Sequence, residues 1–140
     1  VAVHDGVRPI ISSRIFENCF SRAERKGNAV CCTGLNESVK YLNDDFSYST
    51  LDRSKIRIIQ TPQCFKLGIL KKAYDEGYHE EFTDDSAYVE NIGEKITLIK
   101  GLSSNIKITY PADLIMAKVL INILEKARNT SKKKTTQDND

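Results

Sequence analysis

The chain has 140 residues, the size of one domain or of part of one. Its 21 Lys and Arg nearly balance 19 Asp and Glu, and a net charge of +2 lacks the concentrated basic excess of a nucleic-acid module. An apolar fraction of 40% is enough for a core, and no run approaches the ~20 apolar residues of a membrane span.

Cys19, Cys31, Cys32 and Cys64 form no C-x-x-C pair, and no His cluster surrounds them. That argues against zinc and disulfide frameworks and for a reduced, cytoplasmic setting. The first residues, Val1-Ala2-Val3, read as the end of a strand buried on both faces of a parallel sheet. No Met precedes them, so the sequence is expected to be the C-terminal portion of a longer protein.

The loop His4–Pro9 follows. Ser12 or Ser13 then caps a helix whose Ile15, Phe16, Cys19, Phe20 and Ala23 recur at helical spacing up to Gly27. Asn28–Thr33 is a second buried strand, which completes a βαβ unit. Asn36–Leu42 and Phe46–Asp52 flank the turn-forming Asn43-Asp44-Asp45 and predict a hairpin. Its apolar residues are sparse, so it projects as an arm over about 36–53 whose exposed face calls for a partner.

Ile56–Ile59 returns to the sheet and runs into Thr61-Pro62-Gln63, after which a helix spans about Cys64 to Asp75. Thr83 caps a short helix ending near Gly93. Ile96–Ile99 and Asn105–Thr109 are two more strands. Pro111, with Asp113 beside it, opens the last helix, and Leu114, Ile115, Ala117, Leu120, Ile121 and Leu124 supply its buried face. From Asn129 to Asp140 the composition predicts a disordered tail. The tail holds the only basic run, Lys132-Lys133-Lys134. Nucleic-acid binding through it would require a steep salt dependence that three lysines near two aspartates scarcely supply.

In α/β sheets ligands bind beyond the carboxyl ends of strands. Asp5 and Arg8 follow the first strand, Thr61 and Gln63 follow Ile56–Ile59, Lys107 lies in the closing strand, and Thr83 and Asp84 stand at a helix N-terminus. Together they suggest a phosphorylated ligand. Each also has a plainer role: Arg8 pairing with Asp5 in a loop, Thr83 as an N-cap, Lys107 as a solvated strand side chain. His79 is read as solvent-facing, and Cys31 and Cys32 as packed small hydrophobes.

Five segments carry a resemblance, in order along the chain. They are His4-Asp5-Gly6-Val7-Arg8-Pro9, Asp52-Arg53, Thr61-Pro62-Gln63-Cys64-Phe65, Thr83-Asp84-Asp85-Ser86-Ala87, and Gly101 leading to Asn105-Ile106-Lys107-Ile108-Thr109 with Pro111 and Asp113-Leu114. Up to about Arg128 the chain resembles the 2-C-methyl-D-erythritol 4-phosphate cytidylyltransferases of the non-mevalonate isoprenoid pathway. It departs from them at Ser86-Ala87, where Ala before Ser is common, and at Glu37-Ser38, where Asp-Thr is common.

The resemblance implies an α/β, Rossmann-like nucleotidyltransferase fold, here incomplete, with a mostly parallel sheet and the arm projecting from it. Residues 1–128 are then the C-terminal part of a single domain, inactive without the N-terminal loop that grips CTP. It further implies a homodimer joined through the arms, CTP and a polyol phosphate as substrates, Mg²⁺ as cofactor, and neither nucleic acid nor membrane as partner. Arg53 and Lys107 resemble the pair that orients the substrate phosphate. Asp5, Arg8, Ser38 and Thr83 resemble substrate contacts, with Ser38 and Arg53 reaching the neighbouring protomer's site. A ribitol 5-phosphate cytidylyltransferase and a non-catalytic dimerisation or binding module are the alternatives.

Overall fold

In the computed structural model, residues 1–127 are described in full, and the last helix is assigned the bounds Pro111–Gln137. The tail expected from Asn129 lies outside the described residues. The chain divides into two units.

The first unit, Val1–His4 with Ser13–Leu102, holds a four-stranded sheet in the order β1-β5-β2-β6. Strand β1 is Ala2–Val3, and helix α1 is Ser13–Lys26. The helix forms where it was expected because Ile15, Cys19 and Ala23 are buried along one face, and Arg25 and Lys26 suit the negative end of its dipole. Strand β2 is Asn28–Gly34, buried over five consecutive residues. Strand β5 is Arg57–Phe65, and β6 is Leu98–Lys100.

The α/β class holds, but the pairing differs from the mostly parallel sheet expected. β2 pairs with β6 in parallel, whereas β5 lies between β1 and β2 and is antiparallel to both. Strands β1, β2 and β6 therefore share one direction, as a βαβ unit requires, and β5 is the reversed strand. Its reversal follows from the arm. The chain leaves the sheet at Gly34 and returns at Arg57, and these two residues are cross-strand partners. A hairpin excursion must bring the chain back antiparallel to the strand it left.

The arm itself is β3 (Lys40–Leu42) paired with β4 (Tyr48–Thr50), both exposed throughout. Its turn is closed by the Asn43 amide hydrogen-bonding the Ser47 carbonyl at 2.9 Å.

Strand β5 runs further than its sequence suggested. Thr61 and Gln63 are not at a strand's end; they lie buried inside β5, and Cys64 and Phe65 belong to it as well. Gln63 is paired with Val3 on one side and Val30 on the other, so two ladders hold the backbone extended past Pro62. The proline is tolerated because Gln60, Thr61 and Pro62 together oppose the single residue Cys31, an irregularity where no ladder donor is needed.

Helix α2 (Leu67–Asp75) consequently starts later than expected, and α3 is Asp85–Asn91. Val30, Phe65, Leu70, Ala73 and Val89 form the core between the sheet and these two helices. On the α1 side Cys19, Ala29, Cys31 and Cys64 are fully buried, and all four cysteines are free thiols. At the end of β6 a Cβ on Gly101 would lie 2.3 Å from Gln60 Oε1, so any larger residue there would have to displace the Gln60 carboxamide.

The second unit comprises Asp5–Ser12 and the chain from Ser103 on. Asn105–Thr109, expected as a strand, joins neither sheet; instead the Ile108 amide donates to the Val7 carbonyl at 2.9 Å, docking the segment on a loop. Helix α4 (Pro111–Gln137) opens at Pro111, as expected. Asp113 accepts from the Thr109 and Tyr110 amides, which satisfies the two backbone donors just ahead of the helix's first residue. Its apolar stripe is less covered than expected. Ala117 is buried, but Leu114, Ile115 and Leu124 are exposed, because apolar residues extend round more of the helix than the described chain encloses. No helix among the described residues is long and apolar enough to cross a membrane.

Candidate functional site

The loop after β1 and the segment before α4 meet in a small charged cluster within the second unit. The Arg8 amide donates to the Asp5 carbonyl at 3.0 Å, a turn that brings the two side chains together. Arg8 Nε then donates to Asp5 Oδ2 at 3.0 Å, and Arg8 Nη1 to the Asn105 carbonyl at 2.8 Å. From the other side Lys107 Nζ approaches Asp5 Oδ2 at 3.4 Å. One carboxylate is thus shared by two cations, leaving the cluster with an excess positive charge.

The three groups differ in access. The Arg8 side chain is 10% exposed and that of Lys107 53% exposed. Arg8 is a fixed brace, while Lys107 faces outward with donors to spare, since an ammonium carries three. Burial raises the Asp5 carboxyl, but the hydrogen bond from Arg8 and the charge of Lys107 outweigh it and hold it below its ordinary value of 3.8. Asp5 therefore stays ionised and keeps Lys107 aimed. Such a cluster favours an incoming anion such as a phosphate.

Asp5, Arg8 and Lys107, picked out separately in the sequence, are brought together here. Buried Asn105, whose backbone receives Arg8, was legible only as part of the segment containing Lys107.

Arg53 and Ser38 lie on the arm. Arg53 begins a 3₁₀ turn, Arg53–Lys55, capped by Asp52 accepting from the Ser54 amide at 3.0 Å. Arg53 Nη1 donates to the Asn36 carbonyl at 2.6 Å, tying the returning leg of the arm to the outgoing one two residues before Ser38. Both Arg53 and Ser38 are exposed.

Thr83 is exposed on the connection between α2 and α3 and is not the cap expected of it. Asp84 caps α3, accepting from Ala87 N at 3.0 Å and from Ser86 Oγ at 2.7 Å. A carboxylate one residue closer to the first turn outcompetes a hydroxyl that would have to reach back.

Thr61 and Gln63, expected at the rim, are internal supports. Thr61 Oγ1 meets His4 Nδ1 at 2.8 Å, and Gln63 Oε1 accepts from Ser86 N at 2.9 Å. His79 is not simply solvent-facing either, since its ring stacks on Phe82 at 4.5 Å. The cysteines lie away from this cluster in the buried interior: the hydrogen bond with Cys31 and, less strongly, burial push Cys19 up to about 12, while the same bond lowers Cys31.

The described residues contain no group of three His, Cys, Asp or Glu side chains able to hold a metal ion. Asp5, the carboxylate nearest the task, is occupied by two cations. This segment by itself does not fit a divalent-ion site.

A family model described as 2-C-methyl-D-erythritol 4-phosphate cytidylyltransferase matches residues 1–123. The enzyme of that name from Porphyromonas gingivalis is 45% identical over 122 residues, covering 86% of this chain and 54% of the relative. Its counterpart from Clostridium acetobutylicum is 40% identical over 124 residues, with the same coverage. The chain thus spans about half the length of the curated relatives it matches. Among solved structures, the 4-diphosphocytidyl-2C-methyl-D-erythritol synthase of Anaerococcus prevotii superposes with a TM-score of 0.78 at 31% identity, over 86% of this chain and 57% of that one. The Thermus thermophilus cytidylyltransferase gives 0.75 at 29% identity, over 85% and 60%.

Proposed function

The chain belongs to the 2-C-methyl-D-erythritol 4-phosphate cytidylyltransferase family, and from that premise we propose that the whole protein joins CTP to 2-C-methyl-D-erythritol 4-phosphate, releasing pyrophosphate. The product is the CDP-linked alcohol of non-mevalonate isoprenoid biosynthesis. The observation that carries this reading is the Asp5–Arg8–Lys107 cluster, an outward ammonium held in position by an ionised carboxylate.

The chemistry matches what the cluster supplies. The nucleophile is an oxygen of a phosphomonoester, whose second pKa of about 6 leaves it largely ionised at neutral pH. It attacks the α-phosphorus of CTP; the new P–O bond forms as the bond to the β-phosphate oxygen breaks, and pyrophosphate departs with the electron pair. No side chain has to abstract a proton. The work is to hold two anions together and to stabilise charge as it builds.

In this reading Lys107 and Arg53 orient the acceptor phosphate. Asp5, Arg8, Ser38 and Thr83 complete its contacts, and Arg53 and Ser38 act in the site of a second protomer, so the enzyme is a homodimer joined by its arms. Mg²⁺ comes with the triphosphate of CTP and is not held by ligands of this segment. The setting is cytoplasmic.

The test is an assay of the whole protein with CTP and each of two acceptors, 2-C-methyl-D-erythritol 4-phosphate and ribitol 5-phosphate, followed by pyrophosphate release. Turnover at least about tenfold higher in kcat/KM with the first supports the reading. Preference for ribitol 5-phosphate replaces it with a different polyol phosphate, and turnover of neither makes the protein a binding module.

A further inference from the structure

Gln63 is a polar side chain in the centre of a sheet. It is 1% exposed, and its backbone is paired to Val3 and Val30 on either side. Burying a carboxamide is costly unless a hydrogen bond compensates. Here the bond goes to one particular group, the Ser86 amide, a donor in the first turn of α3 that the helix itself leaves unsatisfied.

The remaining bonds at this end of α3 shape its turn and tie it to α2. Ser86 Oγ and Ala87 N both turn to Asp84, and Asp85 Oδ1 accepts from the Tyr74 hydroxyl of α2. Further along the helix Val89 is fully buried in the core with Val30 and Phe65. Helix α3 therefore has an apolar anchor at Val89, a polar anchor to α2 at Asp85 and a polar anchor to the sheet at Ser86. The anchor at Ser86 is the one that sets the first turn against the sheet. Thr83 immediately precedes the cap and moves with that end of the helix.

We propose that Gln63 is a positioning residue, which holds the first turn of α3 so that Thr83 meets the polyol phosphate acceptor. The proposal rests on the reading of Thr83 as a substrate contact. Gln63 itself touches no substrate; it acts through Ser86 and Asp84, and its effect falls on the acceptor and not on CTP.

The experiment is a double-mutant cycle in the whole protein, with Gln63→Leu, Thr83→Val and the pair, reading KM separately for acceptor and CTP. Gln63→Leu removes the acceptor oxygen and leaves the Ser86 amide buried without it. The acceptor KM is expected to rise about tenfold while that for CTP stays within about twofold. Thr83→Val is expected to raise the acceptor KM similarly. The pair should match Thr83→Val alone within about twofold, since a group acting through Thr83 has nothing left to position. Gln63→Met, which keeps the length of the side chain, enters the cycle if the leucine variant does not fold.

An unchanged acceptor KM in the Gln63 variants, with Thr83→Val impaired, overturns the inference and leaves Thr83 as a contact. Effects that multiply in the pair, or an equal rise in KM for CTP, also overturn it, because general loosening of the fold would act in that way. A Thr83→Val enzyme with unchanged KM overturns both the inference and the assignment of Thr83.

Discussion

At the Asp5 loop, the charged groups are fixed by bonds between residues far apart in sequence. Arg8 reaches the carbonyl of Asn105, and Asp5 joins Arg8 to Lys107. On the arm the bonds stay within the arm: Arg53 to Asn36, Asp52 to Ser54, Asn43 to Ser47 and Ser49. Exposure follows the same division. The Arg8 side chain is 10% exposed, whereas Phe46 is 82% and Tyr48 69% exposed. The first region is assembled by its own unit. The second has a defined local shape and an apolar surface that a monomer leaves to water, the usual sign of a face meant for a partner. Of the two proposed phosphate-orienting cations, Lys107 is aimed already, and Arg53 is the one that the proposed dimer would have to place.

The largest effect should come from the aimed cation. Lys107→Ala in the whole protein is expected to lower kcat/KM by about 10³, the scale of losing one preorganised electrostatic contact to the transition state. A loss under about tenfold would remove Lys107 from the site. The arm should give a smaller and different response. Phe46→Ser with Tyr48→Ser is expected to raise the dimer dissociation constant at least about tenfold in sedimentation experiments, and to make specific activity fall on dilution. Full activity from a species shown to be monomeric would break the contrast between the regions.

The smallest effect is on stability against pH. Asp5 is held below its ordinary value of 3.8, so folding favours its ionised form. That contribution is present above 3.8 and is lost as pH falls through the lower folded-state value. Comparing wild type with Asp5→Asn by denaturant titration should show the wild type more stable at pH 5, by a difference that shrinks as pH falls below 3.8. A difference independent of pH would mean that Asp5 is not held ionised by Arg8 and Lys107.

What the sequence disclosed depended on whether the signal was local. Helix α1 was legible because Ile15, Cys19 and Ala23 recur at its period and Gly27 stops it. The arm was legible from Asn43-Asp44-Asp45 between β-prone stretches. Strand β5 was cut short because Pro62 reads as a terminator, and only pairing with both β1 and β2 carries the chain past it. Asn105–Thr109 alternates like a strand, but its backbone finds a loop in place of a sheet edge. The exposed residues of α4 follow the same limit, since periodicity marks an apolar stripe and says nothing of what covers it. At the site, Asp5, Arg8 and Lys107 could be named from the ordered segments that resemble the family. Their joining through one carboxylate, and the support given by Gln63, are tertiary facts without a sequence signature.

The account depends on Lys107 and Arg53 acting on one phosphate from two different chains. Mixing the inactive variants Arg53→Ala and Lys107→Ala, with exchange of protomers, tests this directly. A heterodimer would hold one site with both residues intact and one with neither. With random exchange about a quarter of all sites should be whole, and about a quarter of wild-type activity should return. Activity no greater than the sum of the two variants, in a mixture shown to contain heterodimers, would contradict the account.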